Sequence, residues 1–387
     1  MADAAHSPAN PDGTPGGEVQ ALEHVDHYLR LGQESDCSDV HLSVDSPPIW
    51  RRFGTLEPVW LQAAKLTATD TERLAMGFLT DPQKHLLAER GDVDFAYATD
   101  FGRFRASVVR HRLGIDLVFR IINSSLRTMD ELGLPPSLKM LTQYHNGLVL
   151  VTGSVGSGKS TTLASLVDEV NKTRHDHIIT LEDPIEYLFT DRVAIIEQRE
   201  VGLDTASFAS GLKNVLRQDP DVLVIGEMRD AESIAAAISA ANIGHLVIST
   251  LHTADAAKSI QRILEFFPSD NREGARRQLA TTLHAVLCQK LVPSTYGGLV
   301  PAVEILLNTT AVAKVIQKNE LEKLPATIEM GVGDGMQTFD QALYELLKAG
   351  KITQATALEH SPTPEALKMR LQGVVLSESR RILGSRD

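Results

Sequence analysis

The chain has 387 residues, 43% of them hydrophobic, and a formal net charge of −12, which gives length and apolar content enough for two domains with sizeable cores and excludes a disordered chain. No apolar run approaches the roughly 18 residues of a membrane-spanning helix, and the N-terminus has neither a basic start nor an apolar signal core. With the acidic balance set against nonspecific nucleic-acid binding, a cytoplasmic protein with no nucleic-acid partner is expected.

In chain order, the Pro/Gly/Ala-rich residues 1–18 read as a disordered tail. "VQALEHVDHYLRLG" reads as a helix, with Leu22, Val25, Tyr28 and Leu29 at helical spacing. Alternating apolar residues in "DVHLSVDSPPIWRRFGTLEPV", "DVDFAYAT", "GRFRASVVRHR" and "IDLVFRII" predict strands, the first broken at Pro47 and Pro48, so residues 19–125 read as a small α+β domain without a nucleotide motif. These strands carry Arg103, Arg105, Arg110, Arg112 and Arg120. Such a set suits a solvated basic face, and it equally suits arginine fingers reaching a nucleotide bound by another domain or subunit. A connector over 126–146, with Gly133, Pro135 and Pro136, leads into a second domain, 147–387. There strands and helices alternate to about Pro293, before a helical C-terminal portion marked by "MQTFDQALYELLKAG" and "TPEALKMRLQ". Cys37 and Cys288 are too few for a disulfide framework or a four-cysteine zinc site.

The second domain opens on an apolar strand, Leu148 to Val151, followed by "GSVGSGKST". Gly153, Ser154, Val155, Gly156, Ser157 and Gly158 form a loop able to wrap an anion. Lys159 is placed to reach the β/γ-phosphates, Ser160 to ligand Mg²⁺, and Thr161 starts a helix whose N-terminus favours negative charge. ATP and Mg²⁺ are therefore expected. Three further strands end in polar residues. "IITLEDPIEY" delivers Glu182, Asp183 and Glu186, a density of acids that a merely solvated loop also shows. "DVLVIGEMRD" delivers Glu227, the candidate to orient attacking water, with Gly226 where a metal-binding aspartate commonly stands. "GHLVISTLHTADA" delivers Thr250 and His252, the latter either a γ-phosphate contact or a capping histidine. Convergence of three polar strand ends on one phosphate loop favours the functional reading.

These motifs, in this order, resemble those of the PilT/PilU pilus-retraction ATPases of the secretion-ATPase superfamily, from about residue 22 to about residue 364. The resemblance implies that "GSVGSGKST" is a Walker A motif, "LEDPIEY" an Asp box, "GEMRD" a Walker B motif and "STLHT" a His box. It further implies that Lys159 and Ser160 bind phosphate and Mg²⁺, Glu182 and Glu186 serve the metal and its water, Glu227 is the catalytic glutamate, His252 contacts the γ-phosphate side, and His245 is a second His-box residue. Arg105, Arg112 and Arg120 match the family's arginine segment. The fold implied is α/β: a PAS-like α+β N-terminal domain followed by a RecA-like P-loop ATPase domain with a helical C-terminal portion. The assembly implied is a homohexamer whose N-terminal domain packs on the next subunit's ATPase domain. It would work on an inner-membrane pilus platform protein, with a paralogous retraction ATPase as a further partner. The missing four-cysteine module favours retraction over extension. Where motors of the PilT type carry a helix reading AIRNLIRE, this chain has "AVAKVIQK", with Ala313 and Gln317 in place of two arginines, so an accessory PilU-type or regulatory ATP-binding role stands as the alternative.

Overall fold

The computed structural model describes residues 19–372 apart from 36, 53 and 123–125, and the chain divides into two compact units, Met1–Ser125 and Leu126–Asp387. The tail expected over 1–18 lies outside the described residues.

In the first unit six strands, β1 Asp39–Leu42, β2 Ile49–Arg52, β3 Thr55–Pro58, β4 Asp92–Ala98, β5 Arg103–His111 and β6 Gly114–Ile122, pair antiparallel in the order β3-β2-β1-β6-β5-β4. Successive side chains point to opposite faces, so β5 and β6 bury Phe104, Ala106, Val108, Leu117 and Phe119 while Arg105 and Arg120 stay exposed. The helix Val25–Glu34 begins later than its apolar spacing predicts. Backbone groups upstream are committed elsewhere: the Val19 N–H donates to Gln62 O and the Leu22 N–H to the Tyr28 hydroxyl. Helices Ala68–Phe78 and Asp81–Arg90, each opened by a reciprocal threonine cap at Thr67 and Thr80, lie in a stretch whose sequence reads as strand-rich.

The second unit is built on seven strands: β7 Gly147–Thr152, β8 His177–Glu182, β9 Ile195–Glu200, β10 Val222–Ile225, β11 Leu246–Leu251, β12 Leu283–Pro293 and β13 Leu299–Leu307. Their order is β13-β12-β7-β11-β10-β8-β9, and every neighbouring pair is parallel except the β12–β13 hairpin. β7, β10 and β11 are buried along their whole length, as strands covered on both faces must be. Helices Lys159–Thr173, Ala231–Ile243 and Ala256–Glu265 follow β7, β10 and β11. The last two start at aspartate caps, Asp230 accepting the Ser233 N–H and Asp255 the Lys258 N–H, both at 2.8 Å. β13 falls in the stretch expected to be helical; its buried Ala302, Val303, Ile305 and Leu306 extend the sheet, and the helical portion begins after it with Thr310–Gln317. Among the described residues no helix is long and apolar enough to cross a membrane.

β7 and β12 approach so closely at Gly147, whose φ is +91°, that a Cβ there would lie 2.2 Å from the His284 ring. The substitution Gly147→Ala combines a left-handed backbone with overpacking and is expected to destabilise the second unit by about 2 to 4 kcal/mol. Denaturant unfolding followed by circular dichroism measures this, since both tryptophans, Trp50 and Trp60, belong to the first unit. An unchanged midpoint would contradict the close approach.

Candidate active site

Parallel pairing brings the strand ends of the second unit to one edge within two residues of each other: Leu251 is opposite Thr152, while Ile225 is opposite both Ser249 and Leu181. The phosphate loop, Glu182, Glu227 and His252 therefore emerge at one carboxyl edge, where open α/β sheets bind ligands.

The loop Gly153–Gly158 turns through positive φ at Gly153, Gly156 and Gly158 and runs into helix Lys159–Thr173. Ser154, Val155 and Gly156 are exposed, Ser160 and Thr161 half-buried. The Lys159 ammonium donates to Gly153 O (2.9 Å) and Ser154 O (2.8 Å), and burial pushes its pKa down against the opposing pull of Glu227 and Glu186. The Thr161 hydroxyl is engaged by Tyr187 Oη at 2.8 Å.

From Lys159 a chain of polar contacts crosses the strand ends. Lys159 Nζ lies 3.3 Å from His252 Nδ1, His252 Nε2 lies 3.1 Å from Glu227 Oε1, Arg229 Nε donates to Glu227 Oε2 at 2.8 Å, and the Arg229 guanidinium reaches Asp183 at 3.3 Å. An ammonium only donates, so His252 accepts at Nδ1 and presents its proton from Nε2 to Glu227. Glu227 thus sits between two donors with its side chain 21% exposed, open enough to meet water. Arg229 belongs to the "GEMRD" run but carries no spacing signal of its own; the two carboxylates it bridges identify it.

Glu182 is buried, accepts from the Thr180 hydroxyl (2.7 Å), Gln198 Nε2 (3.3 Å) and the Glu186 N–H (3.4 Å), and burial pushes its pKa up. A Cβ on Gly226 would come within 3.4 Å of Glu182 Cα and 3.7 Å of its Cγ. Those are ordinary contact distances, so the space beside Glu182 does not by itself require glycine at 226. Among the described residues no group of three or more His, Cys, Asp or Glu is placed to hold a metal. The donor set of one hydroxyl, Ser160, with the acids Glu182 and Glu186 fits Mg²⁺, which completes its shell with water and phosphate oxygens.

Not every expected residue arrives. His245 precedes β11 at its amino end, level with the start of β7, and pairs with Pro220 O at 2.7 Å. About 20 Å of strand separates it from the phosphate loop, so it does not reach the nucleotide site of its own chain. Arg105, Arg112 and Arg120 are exposed residues of the first unit. Arg105 and Arg120 stand directly opposite each other on β5 and β6, Arg112 is in the turn between those strands, and Arg120 donates from Nε to Asp39 at 3.2 Å.

Below the His252 loop lies a buried polar cluster. Thr152 donates to Cys288 Sγ (3.0 Å), Ser259 bonds Thr253 (2.7 Å), and the Glu304 carboxylate accepts the Ala256 N–H (2.9 Å) at the start of helix Ala256–Glu265. Burial, reinforced by Asp255 and opposed by Lys290 and the N–H groups of Ala256 and Phe339, raises the Glu304 pKa from its ordinary 4.5 to about 7. The neighbouring ionisable groups are Cys288, whose thiol burial pushes well up, and Lys258. A raised carboxyl pKa means the folded state holds the proton more tightly. The stability this contributes is complete below about pH 4.5 and lost as pH rises through about 7. Glu304→Gln removes that slope: relative to wild type it should gain up to about 3 kcal/mol between pH 5 and pH 8, read from thermal unfolding at both pH values. A constant difference would contradict the raised pKa.

Compared with known proteins, residues 31–325 match the family described as Type II/IV secretion system protein. Uncharacterized protein YggR of Escherichia coli K12 is 41% identical over 85% of this chain and all of that protein. The type IV pilus ATPase PilU of Pseudomonas aeruginosa is 39% identical over 89% of this chain and 90% of its own. The crystal structure of the pilus retraction motor PilT with bound ADP superposes with a TM-score of 0.81 at 40% identity, over 88% of this chain and 98% of that one. The two-domain α/β fold is the one that motor shows. Together with a phosphate loop facing a histidine-bonded glutamate, these matches establish that the chain belongs to the Type II/IV secretion system protein family and is a PilT/PilU-like ATPase, an ATP hydrolase.

Proposed function

We propose that the chain is the subunit of a hexameric, Mg²⁺-dependent motor that spends ATP hydrolysis on type IV pilus retraction, at the cytoplasmic side of the inner membrane and against the pilus platform protein. The observation that carries the chemical half of this reading is Glu227 held between His252 and Arg229 at the edge of the phosphate loop. The mechanical half rests on similarity to PilT and PilU.

In this reading the N–H groups of the loop 153–158 and the Lys159 ammonium take the β/γ-phosphates, and the Ser160 hydroxyl with Glu182 and Glu186 and their waters holds the metal. Mg²⁺ when bound neutralises the phosphate charge. Glu227 orients the water for in-line attack, and His252, already bonded to both Lys159 and Glu227, registers the γ-phosphate beside them. Arg105, Arg112 and Arg120 supply positive charge to a neighbouring subunit's site. The Asp39 carboxylate that Arg120 pairs with also faces Arg51 at 3.7 Å, so Asp39 keeps a cationic partner when the exposed Arg120 turns to a phosphate.

The helix Thr310–Gln317 supports a second reading, an accessory ATPase of the PilU type. Val312 and Ile316 are buried, whereas Ala313 and Gln317, one turn apart, are half-buried and exposed. The helix thus keeps its packing residues, and its exposed positive charge sits on Lys314 and the following Lys318 and not at positions 313 and 317.

Two measurements test these readings. Glu227→Gln should lower steady-state phosphate release by about 10² or more while leaving labelled-ATP affinity within about threefold; retained turnover would remove Glu227 from its role. Deleting the gene in its host should abolish pilus retraction if this is the primary motor, and retraction that persists assigns the accessory role.

A further inference from the structure

β12 runs beside β7 behind the phosphate loop, and its residue Gln289 is polar yet only 4% exposed. A side-chain amide in such a strand demands partners on both of its atoms. Gln289 finds them on either side of the loop-to-helix junction: Nε2 donates to Ser157 O at 2.8 Å, and Oε1 accepts the Thr162 hydroxyl at 2.7 Å. The amide orientation is fixed by chemistry, because a carbonyl at Ser157 can only accept.

The same residue limits the loop sterically. A Cβ on Gly153 would fall 2.4 Å from Gln289 O, and one on Gly158 would fall 2.7 Å from Gln289 Nε2. Both outer glycines of the motif are therefore pressed against this one residue. An anion-binding loop works when its N–H groups point inward and its carbonyls are occupied elsewhere. Lys159 occupies the carbonyls of Gly153 and Ser154, and Gln289 occupies that of Ser157.

We infer that Gln289 is a positioning residue for nucleotide binding: it fixes the Ser157 carbonyl and the first helical turn so that the loop is shaped for phosphate before the nucleotide arrives. This rests on the ATPase reading above and names a residue that none of the four motifs contains. Losing the amide leaves a buried carbonyl unpaired, which costs enough to weaken binding roughly tenfold. The loss falls on ground state and transition state alike, so it appears in KM and not in kcat.

The test uses the full chain, a fluorescent ATP analogue and steady-state phosphate release. Gln289→Leu should raise both the analogue Kd and the KM for ATP about tenfold, with kcat within about threefold. Gln289→Glu keeps the acceptor for Thr162 but offers no donor to Ser157, and should do the same. A second pair covers the case in which these variants fold poorly: Thr162→Val, which frees one end of the amide, should raise KM several-fold, and Thr162→Ser, which keeps the hydroxyl, should restore it. Folded Gln289 variants with wild-type Kd and KM, or equal KM in the two Thr162 variants, overturn the inference. A wild-type chain that binds no ATP analogue overturns instead the reading on which it rests.

Discussion

Four neighbouring parallel strands whose carboxyl ends fall within two residues of one another set the place of the polar groups at the phosphate-loop edge of the second unit. β7, β11, β10 and β8 are neighbours in that order, and their register places Leu150, Ser249, Ile225 and Leu181 side by side, with Thr152 and Leu251 paired two residues further on. The next residue or two of each strand leaves the sheet at the same edge. A shift of one residue in any pair would turn a whole strand's side chains to the other face and move its end by about 3.3 Å, and that is enough to break contacts such as His252 to Glu227 at 3.1 Å.

Once the ends share one edge, electrostatics selects among the side chains found there. Positive and negative groups alternate from Lys159 through neutral His252 to Glu227, Arg229 and Asp183. Because the lysine fixes the tautomer of His252, the proton facing Glu227 is determined without any ligand. Glu182 stands apart from this chain, buried and bonded to Thr180 and Gln198, in an environment that disfavours its ionised form. A cation nearby would reverse that preference.

Legibility in the sequence tracked how local each feature is. The phosphate loop is a contiguous run whose glycines, lysine and serine act on adjacent backbone, and the three polar strand ends each follow an apolar stretch, so all four could be read as motifs. His245 shows the limit: it stands next to a strand in sequence, but on the entry side, and only the direction of β11 tells that side from the exit. Gln289 has no local signature, since its partners Ser157 and Thr162 are far away in the chain, and Arg229 is set apart from its motif neighbours only by its reach to Asp183. The late start of helix Val25–Glu34 has the same origin, because Val19 is claimed by Gln62 and Ala64 across the fold. The turn from β12 into β13 was hidden for a different reason: short apolar runs do not distinguish a buried strand from a helix.

β12 gives the second unit a further property. Neighbouring side chains on a strand face opposite ways, so while Gln289 serves the phosphate loop, Cys288 meets Thr152 and Ser259, and Lys290 reaches the C-terminal helices, with Nζ 4.3 Å from the Phe339 ring centroid and 3.4 Å from His360 O. The links on the loop side are short and buried, 2.7 and 2.8 Å, whereas the link to His360 is long and partly buried. Short buried hydrogen bonds resist displacement more than long, solvated ones. β12 thus links the phosphate loop on one face to the C-terminal helices on the other, with its shorter and more buried hydrogen bonds on the loop side.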